Sequence, residues 1–348
     1  MNKLINVFKQ KNMGCGYLYF YIHFIVEVTC FYFLTTITHG SNFVWLIPFI
    51  YDGLAFVPQA VIGYISDKYP KINMGIIGTV LLLISYLIWI LTSANILIPL
   101  IIICIGNGML HVSGAECTLR NSNGKLSHSA IFVGGGSFGV ITGKLLAGNI
   151  SHWLIVLFIL TMIPFILLAD TYTGKDNLRF DYANKKLNPY LVIILAVLVV
   201  IVRGYMGYGI PTSWNKSVIQ TVLLFCIMGV GKCAGGILSD AYGIRKIGII
   251  STLLAIPFLC FGDNIMIISL IGVMMFSMTM SITLGILVSV LKNKPGLAFG
   301  LTTIGLFLGT APIFFFKMTS QVLNISMIVV LSIVCSYVLG VLLKKGDN

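Results

Sequence analysis

Residues 63–71 read Gly-Tyr-Ile-Ser-Asp-Lys-Tyr-Pro-Lys, and residues 236–246 read Gly-Ile-Leu-Ser-Asp-Ala-Tyr-Gly-Ile-Arg-Lys. The two stretches share one register. Gly63 pairs with Gly236, Asp67 with Asp240, Tyr69 with Tyr242 and, a little further on, Gly75 with Gly248, always 173 residues apart in a chain of 348. Four matches at a single offset of about half the length indicate an internal duplication. Each copy closes an apolar run, so the nature of those runs decides the fold.

Hydrophobic residues make up 58% of the chain and charged residues 9%, against about 25% charged in soluble domains. Such a chain has too little polar surface for a water-soluble enzyme, a secreted disulfide scaffold or a disordered protein. A membrane-spanning helix needs about 20 mostly apolar residues. Twelve runs qualify, numbered helix 1 to helix 12: 17–38, 43–66, 74–93, 96–115, 129–148, 152–170, 189–210, 217–239, 246–262, 265–290, 297–316 and 322–343. They are apolar throughout, unlike the alternating strands of a lipid-facing barrel. Backbone amides in lipid must be satisfied within the segment, which makes the runs helical. The expected fold is an all-α polytopic membrane protein of twelve transmembrane helices in two pseudo-symmetric six-helix bundles. The bundles cover 1–170 and 189–348, with a cytoplasmic linker over 171–188.

The net charge is +12, and its placement is informative. Seventeen bases fall in segments on the side of the N-terminus, two (Lys216, Lys317) on the other side, and three (Lys144, Arg203, Lys232) within spans. Cytoplasmic loops retain Lys and Arg, so both termini are expected in the cytoplasm. The basic balance then reflects topology, and no nucleic-acid partner is expected. The first run is long enough to cross a bilayer and lacks a clear cleavage site, so it reads as a permanent helix. The eight cysteines lie mostly within spans and form no CxxC pair, a pattern of packing residues; no metal site, disulfide framework or cofactor is expected. Abundant Ile, Lys and Asn hint at an AT-rich bacterium, which places the chain in a bacterial cytoplasmic membrane. A monomer is expected.

A glycine, an aspartate four residues later, and then basic residues resemble the signature loop of the major facilitator superfamily. The loop occurs after helix 2 (Gly63, Asp67, Lys68) and again after helix 8 (Gly236, Asp240, Arg245). One departure is Pro70 where the family has glycine; the second copy keeps Gly243, so the first loop should be the stiffer. The resemblance covers the whole chain and implies a secondary transporter working by alternating access. A glycine near a helix end lets a neighbour approach closely, and an aspartate there can face a helix N-terminus, whose dipole is positive. Helices 5 and 11 begin on the cytoplasmic side. The resemblance therefore assigns Gly63, Asp67, Lys68, Gly236, Asp240 and Arg245 to a cytoplasmic gate. Within the superfamily, three features are similar to small bacterial exporters of the fosmidomycin-resistance type. They are His23 with Glu27, the run Gly106-Asn107-Gly108-Met109-Leu110-His111, and Arg203-Gly204-Tyr205. That likeness favours export over import.

Ionisable groups in a bilayer cost several kcal/mol unless paired or hydrated, which marks each as a functional candidate. Glu27 lies about 15 Å from the cytoplasmic end of helix 1, with His23 one turn away on the same face. The resemblance implies a central cavity lined by helices 1, 4, 7 and 10. Glu27, helped by His23, is expected to carry a proton. Asp52 reads as a second proton site or as a partner for Lys144. Arg203 is expected to hold the anionic part of a small solute, with Asn107, His111, Tyr205 and Thr279 around it. Structural alternatives stand beside these assignments: a Glu27–Arg203 ion pair, histidines that merely pack, and helix 10 hydroxyls bonded to their own helix. Lys232 reads as snorkelling or capping near the gate. The run Gly134-Gly135-Gly136-Ser137-Phe138-Gly139 matches a dinucleotide fingerprint in letters only, since it lies in an apolar span without a preceding strand. Gly135, Gly139 and Gly143, and likewise Gly305 and Gly309, read as sliding surfaces between the halves. An intramembrane enzyme using His23, Glu27 and His111 in acid–base roles is the rival reading, followed by a non-transporting sensor and by lipid translocation.

Overall fold

The computed structural model describes residues 2–10, 12–40, 45–92, 95–172, 178–316 and 320–344. Lys11, Lys175, Lys317 and Lys345, four of the bases behind the topology assignment, lie outside the described residues, as does part of the linker. Among the described residues, twelve helices are long and apolar enough to cross a membrane. They are helix 1 (Met13–Thr38), helix 2 (Leu46–Lys68), helix 3 (Met74–Leu91), helix 4 (Leu97–Asn121), helix 5 (Ser127–Leu146), helix 6 (His152–Asp170), helix 7 (Pro189–Gly209), helix 8 (Val218–Tyr242), helix 9 (Ile244–Phe261), helix 10 (Met266–Val290), helix 11 (Pro295–Phe314) and helix 12 (Gln321–Leu342). A short helix, Asn2–Phe8, precedes them. The chain is a multi-pass membrane protein, and its helices match the sequence-derived spans within a few residues at most ends.

The sequence shows why the helices start and bend where they do. Asn73, Ser151, Asn188 and Ser320 each accept a backbone N–H at the start of helices 3, 6, 7 and 12, and Ser217 with Gln220 forms a capping box on helix 8. Helix 2 consists of Leu46–Phe56 and Gln59–Lys68 with Pro58 between them. Pro58 brings no backbone N–H. Carbonyls beside the break find other donors: the Gln59 carboxamide donates to Ala55 at 2.8 Å, and Thr303 of helix 11 donates to Phe56 at 3.0 Å. Helix 10 is likewise two pieces, Met266–Ser277 and Thr279–Val290.

The glycine stripes pack inside each half, which corrects the expectation of sliding surfaces between halves. A Cβ on Gly135, Gly139 or Gly143 would come within 2.3–2.5 Å of the backbone oxygens of Phe20, Phe24 and Val28 on helix 1. Gly309 is pressed in the same way against the Ile201 backbone oxygen of helix 7, and a Cβ on Gly305 would lie 3.1 Å from the Val200 side chain of the same helix. The first six helices meet the last six mainly through helix 2 on helix 11 and helix 5 on helix 8, at other glycines. A Cβ on Gly63 would lie 2.2 Å from the Gly296 carbonyl oxygen, and one on Gly236 would lie 2.3 Å from the Ala130 Cβ. At the opposite end of the helix 2–helix 11 contact the meeting is aromatic, with Phe49 against Phe307, Phe314 and Phe315, and Trp45 against Phe315.

The described part of the linker lies against the ends of helices 4, 10 and 12. Ala183 forms an antiparallel bridge with Leu343, just after helix 12. The Tyr182 hydroxyl donates to the Gly124 carbonyl at 2.6 Å, and its backbone N–H donates to Ser289 Oγ at 3.0 Å. Burial, with Asp240 nearby, pushes the Tyr182 hydroxyl pKa well up. Lys344 and then Lys185 hold the Asp181 carboxyl below the usual carboxylate range.

Candidate functional site

Helices 5 and 11 are preceded by Leu126 and Lys294, neither of which caps its own helix through a side chain. Their first N–H groups would go unsatisfied, and the repeated aspartates supply the missing acceptors from the other half. Asp67, at the end of helix 2, accepts from Gly296 N at 3.1 Å and Leu297 N at 2.8 Å. Asp240, at the end of helix 8, accepts from the N–H groups of Leu126 and Ser127, both at 2.9 Å. Each aspartate is a two-pronged helix cap donated across the duplication, in a favourable position for the macrodipole. The glycine one turn earlier lets the two helices touch.

Other gate residues fall differently. Arg245 donates to the Leu343 carbonyl at 3.0 Å, closing the end of helix 12 within its own half. Lys68 lies over the Tyr69 ring, 5.3 Å from its centroid. The cation that faces Asp67 is Arg120 of helix 4, at 3.6 Å, which also reaches Glu116 at 4.0 Å. Ser66 donates to Glu116 at 2.5 Å. Arg120, Glu116 and Ser66 were missed because nothing local in the sequence ties helix 4 to the end of helix 2.

Deeper in the protein than these caps is a cavity of about 350 Å³. Its polar lining is His23, Glu27, Asp52, His111, Ser137, Lys144, Lys232, Thr303 and Thr310, drawn from both halves, among rings that include Phe31, Phe225 and Phe299. Three of the predicted residues converge here. His111 Nε2 lies 3.2 Å and His23 Nε2 3.6 Å from the same Glu27 Oε1. The opposite nitrogens are fixed: His23 Nδ1 donates to the Phe132 carbonyl and His111 Nδ1 to the Asn107 carbonyl, each at 2.9 Å. A carbonyl only accepts, so each ring carries a hydrogen on Nδ1 and turns Nε2 to the carboxylate, as a lone pair when the ring is neutral and as an N–H donor when it is protonated. A proton on either ring, or a metal ion among the three atoms, would satisfy the cluster. Gly136 leaves the space beside this cluster open; a Cβ there would come within 2.4 Å of His23 Nε2.

Asp52 and Lys144 also line the cavity, within electrostatic reach of one another. The Lys144 ammonium sits over Phe31 and Phe225, at 5.5 and 5.1 Å from the ring centroids. Lys232 corrects its sequence reading. It lines the cavity and donates across the halves to Ser137 Oγ at 2.8 Å. An intramembrane lysine was visible in the sequence; its partner on another helix was not.

The remaining predicted solute contacts lie outside the cavity lining. Asn107 is buried and donates to Tyr51 Oη at 3.1 Å and Cys30 Sγ at 3.3 Å. The Thr279 hydroxyl bonds back to the Phe276 carbonyl of its own helix at 3.0 Å. Arg203 is buried, within electrostatic reach of Lys232 and of Cys335 on helix 12. Tyr205 packs beside Gly209 toward the end of helix 7. The suggested Glu27–Arg203 pair gives way to the Glu27–histidine cluster.

Solved structures resemble the chain over more than nine-tenths of its length. The E. coli fucose:proton symporter superposes with a TM-score of 0.62 over 93% of this chain and 98% of its own, at 12% identity. The human organic anion transporter MFSD10 does so with 0.64 over 95% and 100%, at 13% identity. Another structure of that symporter, FucP, described as a major facilitator superfamily transporter in the outward conformation, gives 0.54 over 92% and 99%, at 12% identity. The chain has the major facilitator fold. No family model and no curated protein matches its sequence. None of these structures supports the narrower likeness to exporters of the fosmidomycin-resistance type.

Proposed function

We propose that the chain is a proton-coupled secondary transporter that moves a small anionic solute outward across a bacterial cytoplasmic membrane by alternating access. One observation carries this reading: the two halves exchange helix caps at one end of the bundle, the end this reading places in the cytoplasm, beneath a charged cavity that both halves line. Cap bonds of this kind are reversible. Separating the halves there hands the freed N–H groups of helices 5 and 11 to water and gives the cavity a path to the cytoplasm. The site near mid-depth between duplicated halves is what transporters built from repeats require.

The solute's negative charge is read from Lys144 and Lys232, which take the role first assigned to Arg203. Asp52, facing the same cavity, and Glu27 with His23 are the proton carriers. Export rests on the sequence motifs of helices 1, 4 and 7. The test begins with expression in a host stripped of its own exporters, screened against antibiotics and metabolites. With a transported solute in hand, Asp52→Asn in proteoliposomes should abolish accumulation driven by an imposed pH gradient while leaving downhill exchange. Unchanged accumulation would remove Asp52 from coupling, and failure of every solute to move would sink the transport reading.

A further inference from the structure

We propose that His23, His111 and Glu27 form a binding site for a divalent first-row transition-metal ion whose open coordination positions face the cavity and carry small carboxylate ligands. The ligand set is two imidazoles and one carboxylate, which suits Zn²⁺, Fe²⁺, Co²⁺ or Mn²⁺. Ligand atoms bound at about 2.0–2.2 Å in a tetrahedral shell lie about 3.4 Å apart. Glu27 Oε1 is 3.2 and 3.6 Å from the two Nε2 atoms, and all three ligand atoms lie within 4.8 Å of one another. Both Nδ1–H groups are already donated to backbone carbonyls. That outer arrangement fixes the tautomer and orientation metal-binding imidazoles need. The rings meet edge to face with centroids 4.5 Å apart, and both Nε2 atoms lie beside the same Glu27 oxygen.

Three protein ligands leave coordination positions open, as in sites that exchange what they hold and unlike closed structural sites. Gly136 keeps the approach to Nε2 clear. Lys144 and Lys232 on the same cavity repel a bare dication. They suit carboxylates on the metal, so the charges of the cavity balance around a metal complex. That this complex is the cargo rests on the transport reading above; the site itself does not.

The experiment uses the full chain in lipid nanodiscs, titrated with Co²⁺ and followed by visible absorption, with Zn²⁺ as competitor. One Co²⁺ per chain should bind with the bands of a nitrogen–oxygen site and be displaced by Zn²⁺. His111→Gln and Glu27→Gln should each weaken binding at least about tenfold. On the unsubstituted protein, X-ray absorption at the zinc edge should show two imidazoles, which keeps the test independent of variant folding. Absence of saturable binding, a shell without imidazole, or unchanged affinity in both variants would overturn the site. Added citrate distinguishes the form of the cargo: a ternary complex weakened by Lys232→Met supports the carboxylate complex, and simple stripping of the metal overturns that part. Zinc flux in proteoliposomes separates the two readings. Binding without flux refutes the cargo assignment alone, and flux of another solute without metal binding refutes the site alone.

Discussion

Asp67 and Asp240 do the same work in the two halves, each satisfying two N–H groups at the start of a helix it does not belong to. Losing a side-chain cap costs about 1 kcal/mol, within a range of about 0.5–2. Asp67→Ala with Asp240→Ala should therefore shift the balance toward a cytoplasm-open state by about 2 kcal/mol, or about 30-fold. Spin labels at Lys68→Cys and Lys292→Cys, in a background without other cysteines, should report a longer distance in the double variant; an unchanged distribution would remove the aspartates from the latch. Gly136→Ala is a second residue-scale case. Its methyl would need the space of His23 Nε2, so it should impair metal binding while leaving thermal stability within about 1–3 kcal/mol.

The same residue type has opposite consequences in different helix pairs. Gly63→Val places side-chain atoms against the Gly296 backbone and should prevent helices 2 and 11 from closing, again read by the label distance. Gly143→Val, on the stripe that packs on helix 1, should lower the unfolding temperature without opening the cytoplasmic side. A four-residue glycine period in sequence shows that a helix presents a small face, but not which neighbour fills it. That is why the stripes were assigned to the wrong boundary, while Gly63 and Gly236, each tied to an aspartate one turn on, pack against helices 11 and 5 of the other half. The linker gives a pH-dependent case. The pKa of Asp181 is depressed by Lys344 and Lys185, so its pairing contributes above the unfolded carboxyl value of about 4 and is lost as pH falls through the lower folded one. The group is half exposed, so the effect should stay below about 1 kcal/mol. Hydrogen exchange at Asn184 and Lys344, whose amides join linker and tail, should speed up at low pH, and Asp181→Asn should abolish that pH dependence.

Across the whole molecule, hydropathy and the 173-residue offset sufficed for the twelve helices, because both are local or periodic signals. The cavity was only half legible. Glu27, His23, His111 and Asp52 stood out as costly groups in lipid, and the fold brings all four to one chamber. Arg203, Tyr205, Asn107 and Thr279 were placed there by helix number together with depth or motif, and the side of the helix each one faces puts it elsewhere. Lys232 was read from its stem, whereas its position is set by Ser137 on helix 5.

The two inner turns are built unlike one another. Helix 8 passes into helix 9 through Gly243 alone, at φ 100°. At the matching position stands Pro70, whose ring fixes φ near −65°, and the chain needs residues 69–73 to reach helix 3. A symmetric pair of doors thus hangs on one supple and one rigid hinge. When the inner side parts, helices 2 and 3 should swing as a single panel, whereas helices 8 and 9 are free to fold about their joint, making the opening lopsided despite the duplicated design.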